Sequence, residues 1–345
     1  MKKAAVVGVY GVGADFTTGQ AVKCYEIINW LKEKYGQDEI EVVNTYKWKR
    51  NPLKLLVDLF NAFRGCKNVI LMPAQHGIKV FAPLAYYFSK IFKRRIHYVV
   101  IGGWLAEMLT EQPRIKKYIY SFDAVHVETK EMVSKLHNIG IDKVYYMPNF
   151  RVLPSAPIMR IRKWSEPVQV CTYSRVVKEK GILDAVEIVK EANRRAGKKL
   201  FCLDVYGKVA PEFRMEFEQT VSQNIDIMRY CGIKNANEGP VTLSNYFALL
   251  FPTYYEGEGF AGTILDAFVG KTPVIANDWK YNKEIIKNGE NGFIYPYRDI
   301  NTAAEYLYEL YLNFQLYEEI QHGCENEAKR YSTDSVLGEF DKTLS

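Results

Sequence analysis

The most restrictive feature of this 345-residue sequence is a repeated alternation of short apolar runs with stretches of helical periodicity. The first run is AAVVGVY (4–10), and the segment after it, 20–36, has apolar residues about one helical turn apart and ends at a glycine. Further strand candidates with helical stretches between them lie at 39–45, 68–73, 95–103, 122–129 and 142–149. Such a strand–helix repeat predicts a parallel sheet with helices on both of its faces.

A proline-containing segment without a clear period, 151–167, interrupts the alternation and is predicted to be a linker. The alternation then resumes, with strand candidates at 168–174, 199–207, 225–232, 246–255 and 272–278. We therefore expect an α/β protein with two Rossmann-like domains that face each other across a cleft. Ligands of such domains bind at the carboxyl ends of the strands, so the cleft is the expected active site. The expected boundaries are 1–155 for the N-terminal domain, 156–325 for the C-terminal domain and 326–345 for a helical tail that is a candidate to pack back on the N-terminal domain.

The N-terminal sequence MKKAAVVGVYGVGA has the lysines and apolar residues of a signal peptide. Glycines interrupt its apolar stretch and no small-x-small cleavage site ends it, so we interpret it as the first core strand. The six cysteines are scattered without a CxxC pair, which predicts buried free thiols in a reducing compartment. No apolar run reaches the roughly 18 residues of a membrane-spanning helix. We expect a cytoplasmic protein, with the inner face of the membrane as a candidate peripheral location.

The charge distribution divides the chain into a basic half and a mildly acidic half. Residues 1–150 hold 22 basic and 13 acidic residues, a net charge of +9, whereas the remainder carries −3. In 47–65, 90–98 and 114–120 cations are interleaved with aromatic and apolar residues, which suits an anionic membrane surface or a diphosphate-linked lipid acceptor. RNA is the rival partner, and a solvated basic face needs no partner at all. Of these we expect no nucleic acid.

A glycine-rich turn follows the first predicted strand. Its sequence GVYGVGADFTTGQ (8–20) lacks the GxGxxG spacing of a dinucleotide site, which argues against NAD. Gly11 and Gly13 are candidates to bring the backbone close to phosphate or sugar, and a plain surface turn is the alternative.

The segment YSRVVKEKGILDAVEIV (173–189) places two cations at the end of a predicted strand. Arg175 and Lys180 flank a turn, and Gly181 then opens a helix. A guanidinium there can bind two phosphate oxygens and an ammonium can add a point charge, so the two residues form a candidate diphosphate site. The alternative is a solvated basic turn.

The segment YYEGEGFAGTILDAF (254–268) combines acidic residues with a predicted helix start near Gly262. The N–H groups of 262–264 should point out of the helix N-terminus, which makes an anion site. Asp266, about one turn further in, can reach a ribose hydroxyl pair. A glutamate before the helix can accept hydrogen bonds from sugar hydroxyls, or it can merely oppose the helix dipole.

Glu258 and Asp266 lie eight residues apart in this segment. With the intervening GFAGTIL they resemble the signature of the GT4 family, which are retaining glycosyltransferases of the GT-B fold: a Glu, seven residues and a second Glu. Asp in place of that second Glu keeps the charge and shortens the reach by one methylene. SRVVKEKG (174–181) is similar to the family's segment that holds the donor diphosphate, and DVYG (204–207) resembles its strand-end glycine below the nucleotide. The run 272–296 is similar to the family's stretch from a Pro-Val-Ile strand to an Asn-Gly-Phe turn.

The resemblance implies a retaining, hexosyltransferase-type enzyme that moves a sugar from a nucleotide-diphosphate donor, commonly UDP, to a glycan acceptor. A lipid-linked acceptor and cell-surface polysaccharide synthesis are the expected context. The implied catalytic residues are Glu258, Arg175 and Lys180. The implied donor-binding residues are Gly207, Gly259, Phe260, Gly262, Thr263, Ile264 and Asp266. The implied acceptor-side or sugar-side residues are Gly11, Gly13, Gly102 and Gly103.

Many members of the family have a histidine near the transferred sugar, where this chain has Gly102 and Gly103. His76 and His126 are candidates to replace it, and each can instead be a structural or surface residue. No Asp-x-Asp motif occurs, so we expect no metal and no cofactor, with the two cations and the helix terminus supplying the positive charge. The alternatives are a sugar-nucleotide epimerase, a storage-glucan synthase and a non-catalytic glycan-binding protein.

Overall fold

The computed structural model describes residues 1–10, 19–154 and 164–345. Gly11, Gly13 and part of the predicted linker therefore lie outside the described residues. The chain divides into two compact units. The N-terminal unit comprises Met1–Asn149 with Thr333–Ser345, and the C-terminal unit comprises Phe150–Ser332.

The N-terminal unit contains a six-stranded sheet of order β2-β1-β3-β4-β5-β6, in which every pairing is parallel. Its strands are β1 Lys2–Gly8, β2 Ile40–Asn44, β3 Cys66–Leu71, β4 Arg95–Val99, β5 Ala124–Val127 and β6 Val144–Tyr146. Its first helices are α1 Gly19–Tyr35, α2 Pro52–Gly65, α3 Gln75–Phe92, α4 Leu105–Glu111, α5 Pro113–Tyr120 and α6 Lys130–Asn138. The side chains from Ala4 to Val7 are wholly buried, as expected of a parallel strand covered on both faces.

The C-terminal unit contains a second six-stranded parallel sheet, of order β12-β11-β10-β7-β8-β9. Its strands are β7 Val168–Tyr173, β8 Phe201–Tyr206, β9 Met228–Tyr230, β10 Leu249–Phe251, β11 Val274–Asn277 and β12 Gly292–Tyr295. Its helices are α7 Ile182–Ala196, α8 Arg214–Gln223, α9 Gly239–Leu243, α10 Gly262–Val269, α11 Asn282–Ile285, α12 Ile300–Leu312 and α13 Phe314–Arg330. The strand order reverses between β7 and β10, and ligands of open α/β sheets bind at such a switch point.

These two sheets confirm the predicted fold class of two Rossmann-like βα domains. Strand β12 was not among the predicted strands. Its four residues, GFIY, are too few to show a period, and apolar runs of that length are ambiguous.

The last helix, α14 Thr333–Lys342, belongs to the N-terminal unit. Asp341 of this helix accepts hydrogen bonds from Lys34 Nζ at 2.8 Å and from the Tyr35 hydroxyl at 2.5 Å. Arg95 Nη2 donates to the carbonyl oxygen of Thr343 at 2.8 Å. These contacts hold the chain end against α1 and the start of β4. Of the helices that the structure describes, none has the length and apolar content needed to cross a bilayer.

Candidate functional site

The predicted catalytic residues lie together in the C-terminal unit, at the ends of the neighbouring strands β7 and β10. Lys180 Nζ forms an ion pair with Glu258 Oε2, and both side chains are 9% exposed. Thr253 Oγ1 donates to the same carboxylate oxygen at 3.0 Å. Arg175 Cζ and Lys180 Nζ lie 5.3 and 5.2 Å from the centre of the Tyr255 ring. Two cations, one carboxylate and an aromatic ring thus share one site at the switch point.

Two glycines allow the backbone to bring these residues together. Gly207 has φ +133°, and a Cβ there would lie 1.7 Å from the carbonyl oxygen of Ser174, the residue before Arg175. Gly181 has φ +71°, and a Cβ there would lie 2.1 Å from the carbonyl oxygen of Pro252. A side chain at either position would push apart the loops that carry the cations and the carboxylate. Gly207, the predicted strand-end glycine, therefore lets the loop that carries Arg175 pack closely against the end of β8.

The N-terminus of α10 provides hydrogen-bond donors beside this cluster. The helix begins at Gly262, and its N-cap residue, Ala261, makes no side-chain cap. The N–H of Ile264, one of the three predicted to face outward, donates to Ala261 O at 3.1 Å. The N–H groups of Gly262 and Thr263 have no acceptor within the described residues. The buried Thr263 hydroxyl likewise has no partner there, so three donors remain for an anion.

Asp266, the residue predicted to bind ribose, is engaged by an arginine of the same unit. Its side chain is 6% exposed, and Arg151 Nε lies 2.5 Å from its Oδ1 while Arg151 Nη2 donates to its Oδ2 at 3.2 Å. The backbone N–H of Arg151 donates to Tyr331 O at 3.0 Å, which fixes the arginine in place. Ribose binding by Asp266 stays a prediction, and it would require the carboxylate to share or exchange this partner. Nothing in the spacing of the linker indicated Arg151.

Three other residues of the predicted stretch have contacts of different kinds. Phe260 is 3% exposed and packs edge-on against the Tyr331 ring, with ring centres 4.9 Å apart. Gly259 is buried beside it. Glu256 is 76% exposed and pairs with Lys280 at 2.7 Å, so it lies outside the cluster around Glu258.

An aromatic group that the sequence reasoning missed borders the cluster. Trp279 Nε1 donates to the carbonyl oxygen of Tyr255 at 3.0 Å. The Trp279 ring lies 5.3 Å from that of Tyr297, whose other neighbours include Tyr254 at 6.4 Å and the Arg298 guanidinium at 5.1 Å. The only signal was a tryptophan just after the predicted strand 272–278. This group fixes the backbone of Tyr255, the residue that contacts both cations.

In the N-terminal unit, Gly102 lies in the turn after β4 with φ +89°. Its N–H donates to Glu128 Oε2 at 3.3 Å, and Glu128 Oε1 accepts from Lys23 Nζ at 2.8 Å. The Lys23 and Glu128 side chains are 2% and 3% exposed. A buried ion pair carries a desolvation cost, so it is not needed for stability alone. Because Glu128 also accepts from the Gly102 N–H, we interpret the pair as holding the Gly102–Gly103 turn in position at the strand ends. No sequence pattern indicated this pair, because its members lie 105 residues apart.

The two candidate histidines have different surroundings. His76 is exposed near the start of α3. His126 is 1% exposed in β5, and its ring packs edge-on against Phe340 with centres 4.8 Å apart. Burial, with smaller contributions from His97 and Lys23, holds the pKa of His126 well below its usual value. His126 is therefore a neutral core residue.

The described residues contain no group of three His, Cys, Asp or Glu side chains placed to hold a metal ion. The expectation that the reaction needs no metal stays a prediction, because this finding concerns protein ligands alone.

The comparisons with known proteins concern the family and the fold of the chain. The family model described as glycosyl transferases group 1 matches residues 158–330. Among solved structures, Anabaena Alr3699/HepE in complex with UDP has a TM-score of 0.77 at 14% identity, covering 100% of this chain and 99% of that one. The lipopolysaccharide outer core galactosyltransferase WaaB, in its apo form, has a TM-score of 0.69 at 15% identity, with coverage of 100% and 99%.

A third similar structure is a longer protein. A mutant of S. aureus TarM in complex with fondaparinux, alpha-GlcNAc-glycerol and UDP has a TM-score of 0.65 at 18% identity and covers 81% of this chain. This chain spans only 55% of that one. No curated protein sequence matches the chain. At these identities the structural likeness shows the GT-B fold.

Proposed function

We propose that this chain, which belongs to the glycosyl transferases group 1 family, transfers a sugar from a UDP-sugar to a glycan acceptor. The observation that carries the proposal is the cluster of Arg175, Lys180 and Glu258 beside the N-terminus of α10. The similarity to HepE and to TarM, both crystallised with UDP, supports UDP as the nucleotide.

The cations and the helix terminus would stabilise the leaving diphosphate. The Arg175 guanidinium can bind two phosphate oxygens, and the N–H groups of Gly262 and Thr263 can donate to the others. Negative charge grows on the leaving group as the glycosidic bond breaks, so donors held in place beforehand lower the barrier. Lys180 now neutralises Glu258. A diphosphate would compete for that ammonium and leave the Glu258 carboxylate to accept hydrogen bonds from sugar hydroxyls.

Transfer with retention needs no protein nucleophile at this site. The bond between the anomeric carbon and the phosphate oxygen breaks, and the acceptor oxygen bonds to the same face of that carbon. The proton of the acceptor hydroxyl passes to the leaving phosphate oxygen. On this route the Glu258 carboxylate positions the sugar and does not attack it, and the proposal extends to transfer of a hexose without a metal ion.

The proposed acceptor is a lipid-linked glycan in cell-surface polysaccharide synthesis, met at the cytoplasmic face of a membrane. The basic segments 47–65, 90–98 and 114–120 support this acceptor, because they suit both an anionic bilayer and a diphosphate link. Similarity to WaaB, a lipopolysaccharide outer core galactosyltransferase, also supports this acceptor.

The test is a thermal-shift screen of nucleotide sugars followed by an assay for released UDP. We expect Lys180→Met to lower the release rate about 100-fold or more, since it removes a cation from the diphosphate site. Lys178→Met is the matched control, because Lys178 lies in the same turn but is exposed and pairs with Glu216 at 2.9 Å. If no nucleotide sugar shifts the melting temperature and no UDP is released, the proposal is wrong. Equal losses in the two variants would remove Lys180 from the mechanism.

A further inference from the structure

Helix α2 has two apolar stripes, one buried and one facing solvent. The buried residues are Leu55, Leu59, Ala62 and Phe63. The exposed residues are Leu53 at 75%, Leu56 at 40%, Val57 at 57% and Phe60 at 42%. The exposed set has the i, i+3, i+4, i+7 spacing of a single helix face. A surface helix ordinarily needs only the first stripe, so the second calls for a partner.

The exposed stripe continues onto α3. The Phe60 ring lies 6.2 Å from that of Phe88 and 5.1 Å from that of Phe92. On α3 itself, Tyr87 is 58% exposed and Ile91 is 68% exposed. We call the exposed stripe of α2 together with Tyr87 and Ile91 the docking surface. It is larger than the single scattered apolar residues that ordinary protein surfaces carry.

Basic residues lie on the two helices of the docking surface and in the turns that flank them. The segments 47–65, 90–98 and 114–120 contain 12 basic residues and one acidic residue. That acidic residue, Asp58, is paired with Lys54 at 2.6 Å. Four of the exposed cations on α2, α3 and their flanking turns are Lys49, Arg50, Lys90 and Lys93.

This combination of charge and apolar side chains selects one occupant. A two-fold contact with a second copy would bring two basic rims together, which repels. Nucleic acid is bound through its phosphates and gives no reason for an apolar stripe. An anionic bilayer satisfies both features, because apolar side chains enter the headgroup region while cations bind the lipid phosphates.

We propose that the docking surface inserts into the interface of an anionic lipid bilayer, with α2 lying in the plane of the membrane. The inference rests on the proposed function only in that a lipid-linked acceptor explains why the enzyme would bind there. Leu53 and Val57 enter deepest, because they are the most exposed apolar residues of α2. The cations around them hold the protein at the surface until salt screens them.

The test uses the full chain and flotation with phosphatidylcholine vesicles, with and without phosphatidylglycerol, in low and high salt. We expect flotation only with the anionic vesicles at low salt, and at least about a tenfold lower bound fraction for Leu53→Ser/Val57→Ser. Leu312→Ser/Phe314→Ser is the matched control, since these residues are 65% and 55% exposed in the C-terminal unit. The control should float as the wild type does. Circular dichroism of both variants checks that they are folded.

Several results would overturn the inference. Vesicle binding that does not depend on lipid charge or salt, or no binding at all, would refute the anionic bilayer as the occupant. Equal losses of binding in the two variants would show that the docking surface is not the site that contacts the membrane. A dimer in sedimentation that Leu53→Ser/Val57→Ser abolishes would assign the surface to a second copy instead. The vesicle measurement contains no donor or acceptor, so its failure leaves glycosyl transfer intact, and a failed UDP-release assay leaves vesicle binding intact.

Discussion

The substitution Arg151→Met tests how much the ion pair between Arg151 and Asp266 of helix α10 contributes to the free energy of unfolding. It leaves the carboxylate of Asp266, 6% exposed, without its ion-pair partner. An uncompensated buried charge costs about 3 kcal/mol in the free energy of unfolding. Asp266→Asn should cost less, about 1–2 kcal/mol, because the neutral amide needs no counter-charge and Arg151, 17% exposed, can reach water.

The double variant Arg151→Met/Asp266→Asn buries no charge, so the two effects should not add. We expect it to be about 2 kcal/mol more stable than the sum of the single changes predicts. A unit of this size loses roughly 2–4 °C of melting temperature per kcal/mol, so Arg151→Met should melt roughly 6–12 °C below the wild type.

Calorimetry of the four proteins gives the coupling, and titration with UDP and 2′,3′-dideoxy-UDP tests the ribose prediction separately. Additivity within about 0.5 kcal/mol would refute the ion pair as a stabilising contact. If Asp266 binds the ribose, Asp266→Asn should lose the preference for UDP over the dideoxy nucleotide while Arg151→Met keeps it. An unchanged preference in Asp266→Asn would refute the ribose role.

Three further outcomes follow from single contacts. Gly207→Ala should lower the free energy of unfolding by more than about 2 kcal/mol and weaken UDP binding, because its Cβ would lie 1.7 Å from a carbonyl oxygen. The control is Gly197→Ala, which is also at positive φ but in open space. It should cost only about 1 kcal/mol in thermal melts and leave UDP binding unchanged. Burial, with a smaller effect of a neighbouring arginine, lowers the pKa of His97 from 6.5 to about 3. Between pH 7 and pH 5 the unfolded state therefore binds more protons at His97, which lowers the free energy of unfolding by about 2 kcal/mol. Burial also lowers the pKa of His126, so the wild type should lose more than this in urea, and His97→Gln should lose about 2 kcal/mol less than the wild type. Lys23→Met removes the ammonium that pairs with the buried Glu128 carboxylate behind the turn after β4. The cost of that buried charge should disturb the turn and lower transfer to the acceptor about tenfold or more, with unchanged UDP affinity. A parallel loss of UDP affinity would contradict the positioning role.

Much of the fold and part of the candidate site could be predicted from local patterns. The apolar runs and helical periods indicated two parallel sheets, and the strands of a parallel sheet all end at one edge. Arg175, Lys180 and Glu258 follow two such strands, so their predicted proximity required only that β7 and β10 be neighbours. Strand β12 was not predicted because a run of four residues is too short to show a period.

The partners of the buried polar groups could not be predicted in this way. Arg151 meets Asp266 across 115 residues of sequence, and Lys23 meets Glu128 across 105. Likewise, helical spacing separates the apolar residues of α2 into two stripes, but only packing against β3 and α3 decides which stripe is buried.

By itself, the sequence determined the repeat of strands and helices and the charged residues at their ends, because backbone geometry imposes periods that side-chain polarity must follow. Only the tertiary structure decided which carboxylate faces which cation, that Phe260 packs inward, and that one apolar face of α2 remains in solvent. These outcomes depend on distances between segments far apart in the chain, and no local period encodes such distances.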